Sequence, residues 1–176
     1  RVMKTHAMDK AKTAANDCLY PFATSLLERG YPSPRQFRVV RNRNGTPTGI
    51  KARVAFDSRT CIAKVSGYAL GERRQYTFQI SSRIHLYDRW FCGLLRHSCS
   101  PNLYFDIHYL EVWTVEAITA GSWLTLDFAN TDDILPRQFA CHCGAPECRG
   151  WIKGRKEQIN AEGLRFLEQQ RSPECR

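Results

Sequence analysis

The stretch Cys141-His142-Cys143-Gly144-Ala145-Pro146-Glu147-Cys148 places three thiols within eight residues, with glycine and proline between them favouring a tight turn. Thiolates gathered this way suit zinc, which takes sulfur ligands at tetrahedral angles and prefers four of them. One ligand is therefore still to be found. His142 lies between two of the cysteines, where a side chain often points away from the ion, so a remote cysteine is the better candidate. A site closed by four sulfurs has no open position for substrate, and its role is structural. Such an ion fastens the C-terminal tail to whatever supplies the fourth sulfur. Clustering of this kind also favours metal over a disulfide framework, and with it a reducing compartment. Cys18, Cys61, Cys92 and Cys175 read as thiols acting as small hydrophobes.

The elements that must position these residues are mostly short strands. From Gln36 onward the apolar pattern has period two, predicting strands at Phe37 to Arg41, Ile50 to Phe56, Tyr76 to Ile80, Leu103 to Ile107, Leu110 to Val115 and Trp123 to Phe128. Asn44-Gly45 and Ala120-Gly121 are turn signals. Helical intervals occur from Thr5 to Arg29, interrupted at Pro21 and stopped at Gly30, and again from Lys156 to Gln169, with Ile159, Phe166 and Leu167 on one face. Tyr31-Pro-Ser-Pro34 cannot continue a helix and reads as a connector. With 43% apolar residues in 176, the chain can bury one core, and the expected class is α+β, mostly β.

The net charge of +9 is unevenly distributed. Arg1 to Arg53 carries eleven Lys and Arg against Asp9, Asp17 and Glu28, whereas no Lys or Arg falls between His97 and Pro136. That centre holds Asp106, Glu111, Glu116, Asp127, Asp132 and Asp133. The basic segment before Arg53 suits nucleic acid or another polyanion through counterion release. However, Arg38, Arg41, Arg43, Lys51 and Arg53 alternate as outward charges of strands do, which makes a solvated face the plainer expectation. No run approaches the roughly 18 apolar residues of a bilayer-spanning helix, and Arg1 to Lys12 is polar, without the apolar core of a signal peptide. The expectation is an intracellular protein, cytoplasmic or nuclear, without membrane contact.

Arg96-His-Ser-Cys-Ser-Pro-Asn102 resembles the N-H-S-C-x-P-N signature of SET-domain lysine methyltransferases. Ala120-Gly-Ser-Trp-Leu-Thr-Leu-Asp-Phe128 is similar to the family's A-G-E-E-L-T-F-D-Y, and Phe139 to Trp151 to its post-SET cysteine cluster. Three motifs in the right order are far more specific than any one of them. The resemblance implies a SET fold of small twisted sheets with a pseudoknot. It divides the chain into a helical N-terminal extension and connector (1–34), the SET domain (35–136), a post-SET zinc segment (137–154) and a C-terminal helix and tail (155–176). It also implies that Cys99 joins Cys141, Cys143 and Cys148 on zinc. S-adenosylmethionine is then expected on one face, near Gly49, Arg96, His97 and Asn102, and the target lysine in a channel entered from the other, with Tyr76 and Phe128 at the reacting centre.

Two departures from the family pattern bear on chemistry. Phe128 stands where the family has the tyrosine whose hydroxyl lies beside the transferring methyl, and losing a comparable polar stabiliser costs on the order of 3 kcal/mol of barrier. Arg96 replaces an asparagine that helps seat the cofactor. The leading expectation is methyl transfer to a protein lysine. The alternatives are a SET-derived enzyme repurposed for small-molecule chemistry and a non-catalytic module that binds through its basic segment.

Overall fold

The computed structural model describes residues 18–22 and 30–171 of the 176-residue chain. The expected N-terminal helix falls largely outside the described residues, as do the last five residues with Cys175. Within the described piece, 18–22 has no helix; Tyr20 is buried there and Pro21 is exposed.

Strands β1 (Phe37–Arg41) and β2 (Pro47–Ala52) form an antiparallel hairpin, with Phe37 opposite Ala52 and Val39 opposite Ile50. Its turn is fixed by Asn42, whose Oδ1 accepts the Thr46 N–H at 2.8 Å, and by Gly45 at φ +84°. Phe37 and Ile50 point into the core while Arg38 and Arg41 face solvent, as the alternation predicts. Burying each such apolar side chain stabilises the fold by about 1.5–3 kcal/mol. The strand expected to run to Phe56 stops at Ala52, and Phe56 makes only an isolated bridge with Ile118.

Two three-stranded antiparallel sheets follow. One joins β3 (Cys61–Lys64), β9 (Glu111–Thr114) and β8 (Leu103–Asp106) in that spatial order. The other joins β4 (Tyr68–Leu70), β6 (His85–Tyr87) and β5 (Thr77–Gln79). Their inner faces meet the hairpin in one core that includes Phe37, Ile50, Phe91, Leu103, Val112, Leu124 and Leu126.

β7 (Arg96–His97) pairs in parallel with β10 (Thr125–Leu126), and the pairing is extended by Arg96 N–H to Leu124 O at 3.2 Å and Ser98 N–H to Leu126 O at 3.0 Å. The strand expected over Trp123 to Phe128 is reduced to two residues. Asp127 ends it by accepting the Ala129 N–H at 3.1 Å as the N-cap of a one-turn helix, α1 (Phe128–Thr131). A second small core of Leu135, Cys141 and Ile152 carries β11 (Phe139–Ala140) and β12 (Trp151–Ile152). The terminal helix, α2 (Ala161–Arg171), starts later than Lys156. Asn160 caps it at the Gly163 N–H (2.8 Å), while Glu157 turns back to the N–H groups of Gly154 and Leu135.

Candidate active site and metal centre

The site is organised by one buried carboxylate. Asp88 follows β6, is fully buried, and accepts four hydrogen bonds: Trp90 N–H (2.9 Å), Phe91 N–H (2.9 Å), Cys92 N–H (2.7 Å) and the Tyr20 hydroxyl (2.8 Å). Burial pushes its carboxyl above the ordinary range, and these donors oppose that rise. They wind the chain into a 3-10 turn, Cys92–Leu94, that sets Gly93 against Tyr76. A Cβ on Gly93 would lie 2.8 Å from the Tyr76 Cβ, closer than packing permits. Tyr76 itself adopts φ +68°, a left-handed conformation rare for a tyrosine, just before β5.

Two cavities of about 540 and 560 Å³ adjoin at this junction. The first continues over Thr77, Phe78, Asp132 and Leu135; the second over Thr48, Arg96, His97 and the chain from Ala140 to Cys143. They share one wall, made by Gln75, Tyr76, Gly93, Leu95, Phe128 and Phe139. A group held in one cavity therefore lies against residues that also bound the other.

His97 joins this wall to the cysteines. Its ring lies 5.4 Å from that of Phe128 and 5.5 Å from that of Phe139. Nδ1 accepts the Phe128 N–H at 3.2 Å, which leaves the proton on Nε2, 3.5 Å from Cys99 Sγ. Burial holds the imidazole at about 4, outweighing the pull of Asp127 at 3.8 Å, so the ring is neutral at physiological pH.

The sulfurs of Cys99, Cys141, Cys143 and Cys148 all lie within 4.8 Å of one another. Tetrahedral zinc with bonds of about 2.3 Å sets its sulfurs roughly 3.8 Å apart, and Cys99 Sγ to Cys141 Sγ is 3.9 Å. Burial pushes the Cys141 thiol well up, whereas at Cys143 hydrogen bonds from its neighbours outweigh burial and bring the thiol to about 6. Four thiolates this close need a cation, and the donor set fits zinc. His142 turns away from the cluster and packs on Phe166 at 5.8 Å. Arg149 binds the outer side: its Nε and backbone N–H both lie 3.4 Å from Cys99 Sγ, and its guanidinium reaches Asp127 at 2.6 Å.

No protein-family model matches the chain. It is 25% identical over 130 residues to the methyltransferase flvH of Aspergillus flavus, an alignment covering 70% of this chain and 71% of that protein. It is 37% identical over 67 residues to histone-lysine N-methyltransferase met-2 of Caenorhabditis elegans, covering 32% of this chain and 5% of met-2. Among solved structures, KRYPTONITE in complex with mCHG DNA and SAH superposes with a TM-score of 0.51 at 21% identity, over 65% of this chain and 28% of that one. The parallel β7–β10 pair, the cysteine cluster and this likeness of fold agree. The chain has a SET-type fold. It spans only a small part of met-2 and of KRYPTONITE.

Within this fold, Tyr76 and Phe128 stand on the wall common to both cavities, and Arg96 and His97 line the cavity beside the cysteines. Gly49 and Asn102 line neither. Gly49, at φ +149°, lies beneath Arg96, whose Cγ would be 2.8 Å from an added Cβ. Asn102 clamps β10: its Nδ2 donates to Trp123 O (2.8 Å) and its Oδ1 accepts the Thr125 N–H (2.9 Å). Arg96 extends over Trp123, 4.5 Å from the ring centroid, with Lys51 at 4.6 Å. Sequence reading missed Asp88, Gly93, Asp132 and Arg149. Of these only Arg149, next to Cys148 in the cysteine motif, had a neighbour that could have drawn attention to it.

Proposed function

We propose that this SET domain transfers a methyl group from S-adenosylmethionine to the amine of a protein lysine, with Cys99, Cys141, Cys143 and Cys148 holding a structural zinc. The observation that carries the reading is the pair of cavities meeting at the Tyr76–Phe128 wall. The SAH bound to KRYPTONITE and the histone-lysine specificity in the name of met-2 support it. When bound, S-adenosylmethionine supplies an electrophilic methyl group: the amine lone pair forms the N–C bond while the C–S bond breaks and its electrons stay on sulfur.

The residues contribute alignment and exclusion of water. His97 and Arg96 form the cofactor side, where the neutral imidazole adds no positive charge beside a sulfonium and the Arg96 cation is engaged by the Trp123 face. Gly49 and Asn102 act as positioning residues, the first by leaving room for Arg96 and the second by fixing β10. Tyr76 supplies the hydroxyl nearest in role to the one absent at Phe128. The Phe128 ring, packed on His97 and Phe139, offers an apolar surface to the transferring methyl. Zinc binds the post-SET segment to β7, so that 140–143 closes the cofactor cavity.

Isothermal titration of zinc-replete protein with S-adenosylmethionine, followed by mass spectrometry of a lysine-rich peptide incubated with both, tests this reading. Binding and a mass gain of one or more methyl groups are expected. Absence of cofactor binding at millimolar concentration would overturn it in favour of a non-catalytic module.

A small-molecule amine is the second reading. It is favoured by Phe128, which leaves the shared wall without the hydroxyl that the family places beside the transferring methyl. The exposed Arg38, Arg41, Arg43 and Arg53 offer a basic face for nucleic acid, and binding there should weaken steeply with salt. An affinity indifferent to ionic strength counts against that contact. A cluster of reduced cysteines fit for zinc supports an intracellular setting, in cytoplasm or nucleus. Among the described residues no helix is long and apolar enough to cross a membrane.

A further inference from the structure

Of the acidic residues between His97 and Pro136, Asp132 is the one that is buried without a charged partner. Asp127 is paired with Arg149, and Asp133 with Arg155 and Lys156, each at 3.0 Å. Asp106 accepts the N–H groups of His108 and Tyr109, Glu111 accepts the Trp113 indole N–H, and Glu116 is exposed. Asp132 is only 4% exposed, yet it lines the cavity of Phe78, Phe128 and Leu135 on the side away from the cysteines. Among the described residues no Lys, Arg or His lies within ion-pair distance of it. Its Oδ1 accepts the Gln79 N–H at 2.7 Å and its Oδ2 the Thr131 hydroxyl at 2.8 Å. A carboxylate oxygen has two lone pairs, so each can take one more donor.

We infer that Asp132 is the specificity-determining residue of the substrate cavity, and that it captures an amine ligand in its cationic form. A buried carboxylate without a counter-ion is costly, and an ammonium entering the cavity relieves that cost. Burial raises the Asp132 carboxyl above its usual range even against the hydrogen bonds from Thr131 and Gln79. Arg155 and His85 act on it only through space. His85 is itself buried, with Nδ1 unpartnered, and Arg137 at the same cavity pairs outward with Glu162 at 3.6 Å. The apolar Phe78, Phe128 and Leu135 walls suit the aliphatic stem of such a ligand, and Asp132 suits its head. Because Asp132 does not line the cofactor cavity, it recognises the ammonium first, and the nitrogen reaches the shared wall as the neutral amine after giving its proton to solvent.

The inference rests on the reading of this cavity as the substrate side, but its test needs no turnover. The zinc-replete full chain is titrated with n-butylammonium chloride and, separately, with 1-butanol, following amide shifts by NMR in wild type and Asp132→Asn. The asparagine keeps an acceptor for Gln79 N–H and offers its own N–H to Thr131 Oγ1, whose single hydroxyl hydrogen is then free to serve Phe128 O at 3.0 Å. Wild type should bind the ammonium with shifts at Phe78 and Phe128, at least tenfold more tightly than the variant, whereas 1-butanol should not distinguish the two. Equal ammonium binding by both proteins, or no binding at this cavity in wild type, overturns the inference. A protein that discriminates the ammonium but fails to bind S-adenosylmethionine would retain the amine site and lose the methyltransferase reading.

Discussion

Replacing Asp88 with asparagine tests whether one buried carboxylate sets the geometry of the reacting centre. The carboxylate divides four donors between two oxygens: Oδ1 serves Trp90 and Phe91, and Oδ2 serves Cys92 and the Tyr20 hydroxyl. An amide has one oxygen. If that oxygen keeps Trp90 and Phe91, the NH₂ group faces the Cys92 N–H, and a buried donor left unpaired costs about 1–3 kcal/mol. Tyr20 Oη already accepts the Ser66 N–H at 3.1 Å, so accepting the amide as well leaves its own hydroxyl hydrogen without Asp88 and adds to that cost. Loss of the buried charge offsets part of the cost, so the net destabilisation is about 2 kcal/mol. At roughly 2–4 °C per kcal/mol for a chain of this size, the melting temperature falls by about 4–8 °C. Circular dichroism of zinc-replete protein at pH 7 measures it. Tyr20→Phe should be milder and not additive with Asp88→Asn, since the two residues share one hydrogen bond. An unchanged or raised melting temperature for Asp88→Asn, or strict additivity of the pair, would refute the reasoning.

Cys99→Ser should lower the zinc content from one ion per chain to well below one by atomic emission, and full retention would remove Cys99 from the ligand set. Phe128→Tyr restores a hydroxyl at the shared wall and should raise transfer to a lysine peptide by roughly tenfold or more; an unchanged or lower rate would show that the wall works without it. Burial holds the folded-state pKa of Asp132 above the ordinary carboxylate range, so its charge burdens the native state at neutral pH, and that burden is lost as pH falls through the raised value. The melting temperature of Asp132→Asn relative to wild type should therefore decline between pH 7 and about pH 4. Calorimetry across that range showing a constant difference would contradict the sign.

The hairpin was legible because Phe37, Val39, Ile50 and Ala52 alternate with charges and Asn44-Gly45 closes the turn. The cysteine motif was legible because metal spacing is local. Cys99 became accessible only through the family motif around it, since a ligand more than forty residues away leaves no periodic trace. Strands of two or three residues, such as Arg96–His97 and Phe139–Ala140, escaped because tertiary pairing rather than propensity makes them. Asp127 misled in the opposite direction. In sequence it continues a strand, and in space its carboxylate caps α1 and takes Arg149. Asp132 and Asp88 carry no motif, and their roles appear only once the chain has closed around them.

The most direct measurement is a crystal structure with S-adenosylhomocysteine bound. The ligand should lie in the cavity of Arg96, His97 and 140–143, with its sulfur facing the wall of Tyr76 and Phe128 and the Asp132 cavity open on the far side. A ligand seated elsewhere, or a sulfur turned away from that wall, would contradict transfer between the two cavities.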